Sequence, residues 1–106
     1  MAQQFVKAHV KGDRVVVFLK PGCRFCSMAE EALSEYAFKP GRFKCVDISA
    51  RDDMDSIQDY FRDTTGARTV PRVFIGERCI GGGSEVRALH QSGQLEELLR
   101  SIEALQ

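Results

Sequence analysis

The stretch from residue 14 to residue 26, Arg14-Val15-Val16-Val17-Phe18-Leu19-Lys20-Pro21-Gly22-Cys23-Arg24-Phe25-Cys26, decides how the rest of the chain is read. Residues 14–20 form a continuous β-branched and aromatic run, the composition of a strand buried on both faces, as in a parallel sheet. Pro21-Gly22 closes it. From Arg24 to Phe38 the apolar positions Phe25, Met28, Ala29, Ala32, Leu33, Tyr36 and Ala37 recur at helical spacing, and Lys39-Pro40-Gly41 stops that pattern. A C-x-x-C pair therefore sits where a core strand hands over to a helix.

Upstream, residues 3–9 carry Phe5 and Val6 in a short helical lead-in that Gly12 ends. Downstream, Phe43, Cys45, Val46 and Ile48 mark a second strand. Ile57, Tyr60 and Phe61 define a helix face between about Asp53 and Thr65, with Asp52, Asp53 and Asp55 near its positive end and Gly66 as its C-cap. Residues 72–75 and 78–80 read as two short strands joined through Gly76-Glu77, a hairpin signal. A helix follows from Ser84 to about Gln91, closed by Gly93. The last helix places Leu95, Leu98, Leu99, Ile102 and Leu105 on one core-facing stripe. The order α-β-α-β-α-β-β-α-α implies an α/β domain with a four-stranded mixed sheet flanked by helices. With 106 residues and no repeat or linker, residues 1–106 are expected to be a single domain.

Composition narrows the function. Hydrophobic residues make up 43% and charged residues 28%, the balance of an ordinary globule. Fifteen Lys and Arg offset fifteen Asp and Glu, which argues against a nucleic-acid partner or a polybasic membrane surface. No apolar run approaches the ~20 residues that cross a bilayer, and the opening residues lack the apolar core of a signal peptide. A cytoplasmic location is expected. Four cysteines fall below the density of a disulfide scaffold and point to chemistry.

The chemistry concentrates at Cys23-Arg24-Phe25-Cys26. Three-residue spacing at a helix start brings both sulfurs to one face. Cys23 would lie at the helix mouth, beside unpaired N–H groups and the positive dipole end, with Lys20 and Arg24 adding cationic charge. These features favour the nucleophilic thiolate. Cys26, one turn inside, suits the resolving role. A structural zinc site needs four ligands, usually in closely spaced pairs. Here Cys45 and Cys79 stand alone on separate strands, and His9 and His90 form no pair, so no metal site is expected. Accidental proximity of the two cysteines is disfavoured by the strand–turn–helix setting, the redox signature of C-x-x-C. Cys45 and Cys79 read as small buried hydrophobes, with Cys79 near a hairpin end and open to glutathionylation if exposed. Neither histidine is expected to act in catalysis.

The segments VVVFLKPGCRFC (15–26), SIQDYF (56–61), TGARTVPRVFIG (65–76) and CIGGGSE (79–85) resemble, in order and spacing, those of a glutaredoxin (thioltransferase) of the vertebrate cytosolic dithiol type. The resemblance covers nearly the whole chain. It implies a thioredoxin-like fold and glutathione-dependent thiol–disulfide exchange, with Cys23 and Cys26 as the catalytic pair. It implies a cis peptide before Pro71 in Thr69-Val70-Pro71, setting the Val70 backbone beside Cys23 to pair with glutathione by a one-residue strand addition. Lys20, Gln58 and Arg68 are the implied partners of the glycyl carboxylate. Backbone N–H groups of Gly82, Gly83 and Ser84, at a helix start, are implied for the γ-glutamyl carboxylate, with Glu85 for the ligand's ammonium. Acids such as Asp52, Asp53 and Asp55 are expected away from this cationic site.

Glutathione is then a cosubstrate, and no tightly bound organic cofactor is expected. Partners are glutathione, proteins carrying mixed or ordinary disulfides and, indirectly, NADPH-dependent glutathione reductase. A monomer is expected. Two departures stand out. The usual pair is C-P-Y-C, and Arg24 in place of proline should make the site more reactive and more oxidising. Gly83 stands where a cysteine is common in vertebrate members. Losing the proline also opens an alternative: a [2Fe–2S]-binding dimer, a redox sensor or iron–sulfur carrier, using Cys23 and glutathione.

Overall fold

The computed structural model describes residues 2–106. Val15–Leu19 forms β1, the centre of the architecture. On one side it pairs in parallel with β2 (Phe43–Asp47), and on the other it runs antiparallel to β3 (Arg72–Ile75). β3 in turn pairs antiparallel with β4 (Arg78–Gly81), giving the sheet order β2-β1-β3-β4. The helices are α1 (Ala2–His9), α2 (Arg24–Leu33), α3 (Met54–Thr65), α4 (Gly83–Ser92) and α5 (Gln94–Ser101). This is the mixed α/β sheet expected, and its arrangement is thioredoxin-like.

The apolar run of β1 is buried on both faces because each face feeds a separate core. Val15 and Val17, with Val73 and Ile75, pack against Ala29 and Leu33 of α2, Val86 of α4, and Leu95 and Leu99 of α5. Val16, Phe18 and Phe74 pack against Val6 of α1 and Ile57 and Phe61 of α3. All four valine and phenylalanine residues from Val15 to Phe18 are fully buried. Burying each such side chain is worth roughly 1.5–3 kcal/mol. The sheet is thereby a rigid platform, and its β1 end delivers Cys23 to the surface.

Three expectations are corrected. The helix expected over 24–38 ends at Leu33. The C-terminal segment claims the residues beyond it: the Lys39 N–H donates to the Ala104 carbonyl, the Gln106 N–H to the Ala37 carbonyl, and Phe38 bridges Leu105. For the same reason Leu105 is buried but lies outside α5, which stops before Ile102. Cys45 is exposed on edge strand β2, where of its neighbours only Val46 is fully covered. Its sulfur lies 3.7 Å from Glu30 Oε2. Desolvation around the sulfur, then the Glu30 charge, push that thiol up to about 11, so it stays protonated at neutral pH. Cys79 is half-buried.

Candidate active site

Gly22, with φ +72°, turns the chain out of β1 so that Cys23 becomes the N-cap of α2. The cap is the sulfur itself: Cys23 Sγ accepts the Cys26 N–H at 3.2 Å. Such an acceptor is strengthened when it carries negative charge. Cys23 is half-buried, whereas Cys26 is only 2% exposed. Burial, then the hydrogen bond with Cys23, push the Cys26 thiol up to about 12. The two sulfurs are thus unequal, one accessible and one buried and protonated.

The Val70–Pro71 peptide is cis, and Cys23 Sγ lies 3.9 Å from the Val70 carbonyl oxygen. Beside it opens a cleft of about 300 Å³ lined by Phe25, by Thr69 to Arg72 and by Gly82 to Glu85. A larger cavity of about 620 Å³ lies among β4, α4 and α5, but its only thiol is Cys79. The smaller cleft adjoins the reactive pair, and we place the chemistry there. Phe25 is half-exposed over it, the one large apolar side chain so exposed among the described residues.

The first turn of α4 forms the far wall. Gly82 is its N-cap, and the Gly82 N–H donates to Glu85 Oε1 at 2.7 Å. Of the three N–H groups expected to meet an anion, that one is therefore already engaged by Glu85. Those of Gly83 and Ser84 lack intrahelical acceptors by position. Gly83 is required by close approach, because a Cβ there would run into the Phe25 carbonyl oxygen. The missing cysteine at this position thus coincides with tight contact between α4 and the start of α2.

Lys20, Gln58 and the backbone of Arg68 lie together. Lys20 Nζ donates to Gln58 Oε1 at 3.3 Å, and Gln58 Nε2 donates to the Arg68 carbonyl at 3.0 Å. Gln58 is buried, so it serves as a fixed bracket for both partners. The expected separation of acids from this site is corrected. Asp59 and Asp55 lie 3.4 and 3.8 Å from Arg68, because α3 presents them on the turn beside it. Asp53 instead pairs with Arg51 at 2.8 Å.

Arg24 opens α2 and lines a separate groove with Glu31, Glu35, Arg87 and His90. His90 is held there by Tyr36 at 2.7 Å and Glu35 at 3.2 Å, and it does not line the cleft beside the Val70–Pro71 peptide. Among the described residues no three His, Cys, Asp or Glu side chains gather as a metal site, and no helix is long and apolar enough to cross a membrane. Arg72 is the lining residue that sequence reasoning missed. Its only sequence signal is a charged residue opening an otherwise apolar strand directly after Pro71.

A C-x-x-C pair at a helix start, facing a cis-proline loop on a thioredoxin-like sheet, defines a thiol–disulfide oxidoreductase. The glutaredoxin family model matches residues 15–80. Human Glutaredoxin-1 is 51% identical over 106 residues, covering 100% of each chain. The crystal structure of oxidized glutaredoxin 2 from Chlamydomonas reinhardtii superposes with a TM-score of 0.89 at 36% identity, over 98% of this chain and 95% of that one. A buckwheat glutaredoxin–glutathione complex gives 0.88 at 32% identity, over 100% and 94% of the two chains. The chain belongs to the glutaredoxin family, and it is a glutathione-dependent thiol oxidoreductase of the thioltransferase kind.

Proposed function

We propose that the protein reduces protein–glutathione mixed disulfides and low-molecular-weight disulfides through Cys23, with Cys26 as the resolving cysteine. The observation that carries this reading is the inequality of the pair. Cys23 is half-buried with its sulfur 3.9 Å from the carbonyl of Val70, which lines the cleft, whereas Cys26 is buried, with its thiol held up at about 12.

The Cys23 thiolate attacks the glutathionyl sulfur of a mixed disulfide. The old S–S bond breaks, the substrate thiolate leaves and takes a proton, and Cys23 is left disulfide-bonded to glutathione. A second glutathione thiolate attacks that disulfide, releasing oxidised glutathione and returning Cys23 as thiolate. Glutathione reductase and NADPH then regenerate the cosubstrate. With an ordinary disulfide, Cys26 gives its proton to solvent and attacks Cys23 Sγ; the Cys23–substrate S–S bond breaks, the second substrate thiolate leaves and takes up a proton, and a Cys23–Cys26 disulfide remains. Two of the causes that hold the Cys26 proton, the hydrogen bond and the charge of Cys23, vanish once Cys23 is in a disulfide. Burial, the largest cause, still holds the proton, so the first attack eases the loss of the Cys26 proton in part.

In this reading the Val70 backbone, with Thr69 and Pro71 shaping it, pairs with the peptide of glutathione. Lys20, Gln58 and Arg68 take the glycyl carboxylate. The N–H groups of Gly83 and Ser84 take the γ-glutamyl carboxylate, while Glu85, already fixed to the Gly82 N–H, takes the ammonium. The buckwheat glutaredoxin solved with glutathione, alike over the whole chain, supports that ligand class. The chain acts as one unit over 1–106, as a cytoplasmic monomer whose four free cysteines suit a reducing compartment.

Turnover of a small glutathione mixed disulfide, with and without added glutathione, tests the proposal. Turnover is expected only with glutathione, and equal turnover without added glutathione would contradict it. Anaerobic reconstitution with iron, sulfide and glutathione should leave the protein colourless. A stable brown dimer would make cluster binding the principal role.

A further inference from the structure

Arg72 is only 7% exposed, and its environment lacks the partner such burial ordinarily demands. Among the described residues no carboxylate lies within 4 Å of its guanidinium, and its hydrogen bond is from Nε to the neighbouring Pro71 carbonyl at 3.2 Å. Among the described residues the one sealed side-chain nitrogen or oxygen without a partner is Arg14 Nε, so the Arg72 guanidinium is not sealed off, and Arg72 lines the cleft.

The register places it there: Val73 opposes Gly81 across β3 and β4, so the residues flanking that pair, Arg72 and Gly82, meet at the cleft. A Cβ on Gly82 would lie 3.1 Å from Arg72 Nη2 and 3.5 Å from Glu85 Oε1. The Pro71 carbonyl oxygen would lie 3.2 Å from the same Cβ, so glycine lets the Arg72 guanidinium and the Glu85 carboxylate flank one backbone position closely without pairing with each other. The positive end of α4 adjoins the same place, so a guanidinium and a helix N-terminus there face the single carboxylate of Glu85. An arrangement costly to the empty protein is relieved by an anion with a cation beside it.

We propose that Arg72 is a specificity-determining residue that binds the α-carboxylate of the γ-glutamyl group, opposite Glu85, so that the cleft selects an α-amino-acid zwitterion. This deepens the glutathione reading above and rests on it. The helix N–H groups alone would accept any anion. Arg72 and Glu85 together fix the order of carboxylate and ammonium around Gly82.

The test uses the full chain and three peptide disulfides: one with glutathione, one with the 4-aminobutanoyl analogue lacking the α-carboxylate, and one with the glutaryl analogue lacking the amine. Arg72→Gln should raise KM for the glutathione disulfide about tenfold to a hundredfold, the loss of a hydrogen bond to a charged group, with kcat little changed. The same variant should leave the 4-aminobutanoyl substrate unaffected, while Arg72→Lys recovers much of the loss. Thermal melting of Arg72→Gln and Arg72→Met should be no lower than that of the parent. Equal losses on the glutathione and 4-aminobutanoyl substrates, or a lowered melting temperature accounting for the loss, would overturn the inference. A parent enzyme that reduces the glutathione disulfide yet shows no KM preference over the 4-aminobutanoyl one would also overturn it, leaving the proposed function standing. A parent that fails to use the glutathione disulfide would remove both.

Discussion

The first turns of α2 and α4 border one cleft, and each begins with the same asset: backbone N–H groups that no helix carbonyl can reach. α2 fills its opening with its own nucleophile, for Cys23 Sγ takes the Cys26 N–H. α4 begins with glycine, ties down one N–H through Glu85, and leaves the next two toward the cleft. Gly83 lets the two turns meet, with no room for a Cβ against the Phe25 carbonyl. The difference teaches how one local resource supports two tasks. A side chain that caps with a reactive atom makes chemistry, and a cap without a side chain makes a binding site.

Breaking the α2 turn should have the largest effect. Cys23→Ser is expected to reduce glutathionyl-disulfide turnover to the uncatalysed background, whereas Cys26→Ser should retain it and lose only the dithiol reaction. Steady-state assays on both substrate types check this. On the α4 side, Glu85→Ala removes the carboxylate that engages the Gly82 N–H. It should cost about 0.5–2 kcal/mol of stability and raise KM for glutathione disulfides while sparing kcat, read by denaturant melts and kinetics. Gly83→Ala strikes the contact between the turns. Forcing a Cβ against backbone should destabilise by about 1–3 kcal/mol, seen as a lower midpoint with an unchanged denaturant slope.

A further contrast concerns Cys26 and pH, and near pH 9 its effect is the smallest of these. Below pH 9 its thiol is protonated in folded and unfolded chains alike; between 9.0 and about 12 only the unfolded chain gives up the proton. Stability should therefore fall as pH rises through that window, and Cys26→Ala should flatten the fall. An identical slope in the variant would show that burial does not hold the proton.

Much of this was legible in residues 14–26, because a doubly buried strand feeding a C-x-x-C helix start leaves few other topologies. Gly66 and Gly93 also close their helices in the left-handed conformation, as their placement predicts. The end of α2 was not legible, since apolar spacing continues to Ala37 while the C-terminal residues compete for that backbone. Cys45 alternates like a core residue but lies on an edge strand, where the helices cover only part of each face. The pairing of Arg68 with Asp55 and Asp59 depends on where α3 packs, which charge counts do not reveal. Arg72 escaped because nothing in a sequence distinguishes a solvated strand-opening arginine from one sealed into a cleft.

The most direct measurement is to trap the intermediate. The Cys26→Ser protein, mixed with oxidised glutathione and analysed by peptide mass spectrometry, should carry one glutathionyl group, at Cys23, formed far faster than any at Cys45 or Cys79. Equal or faster modification of Cys45 or Cys79, or an unmodified Cys23, would contradict the assignment of Cys23 as the nucleophile.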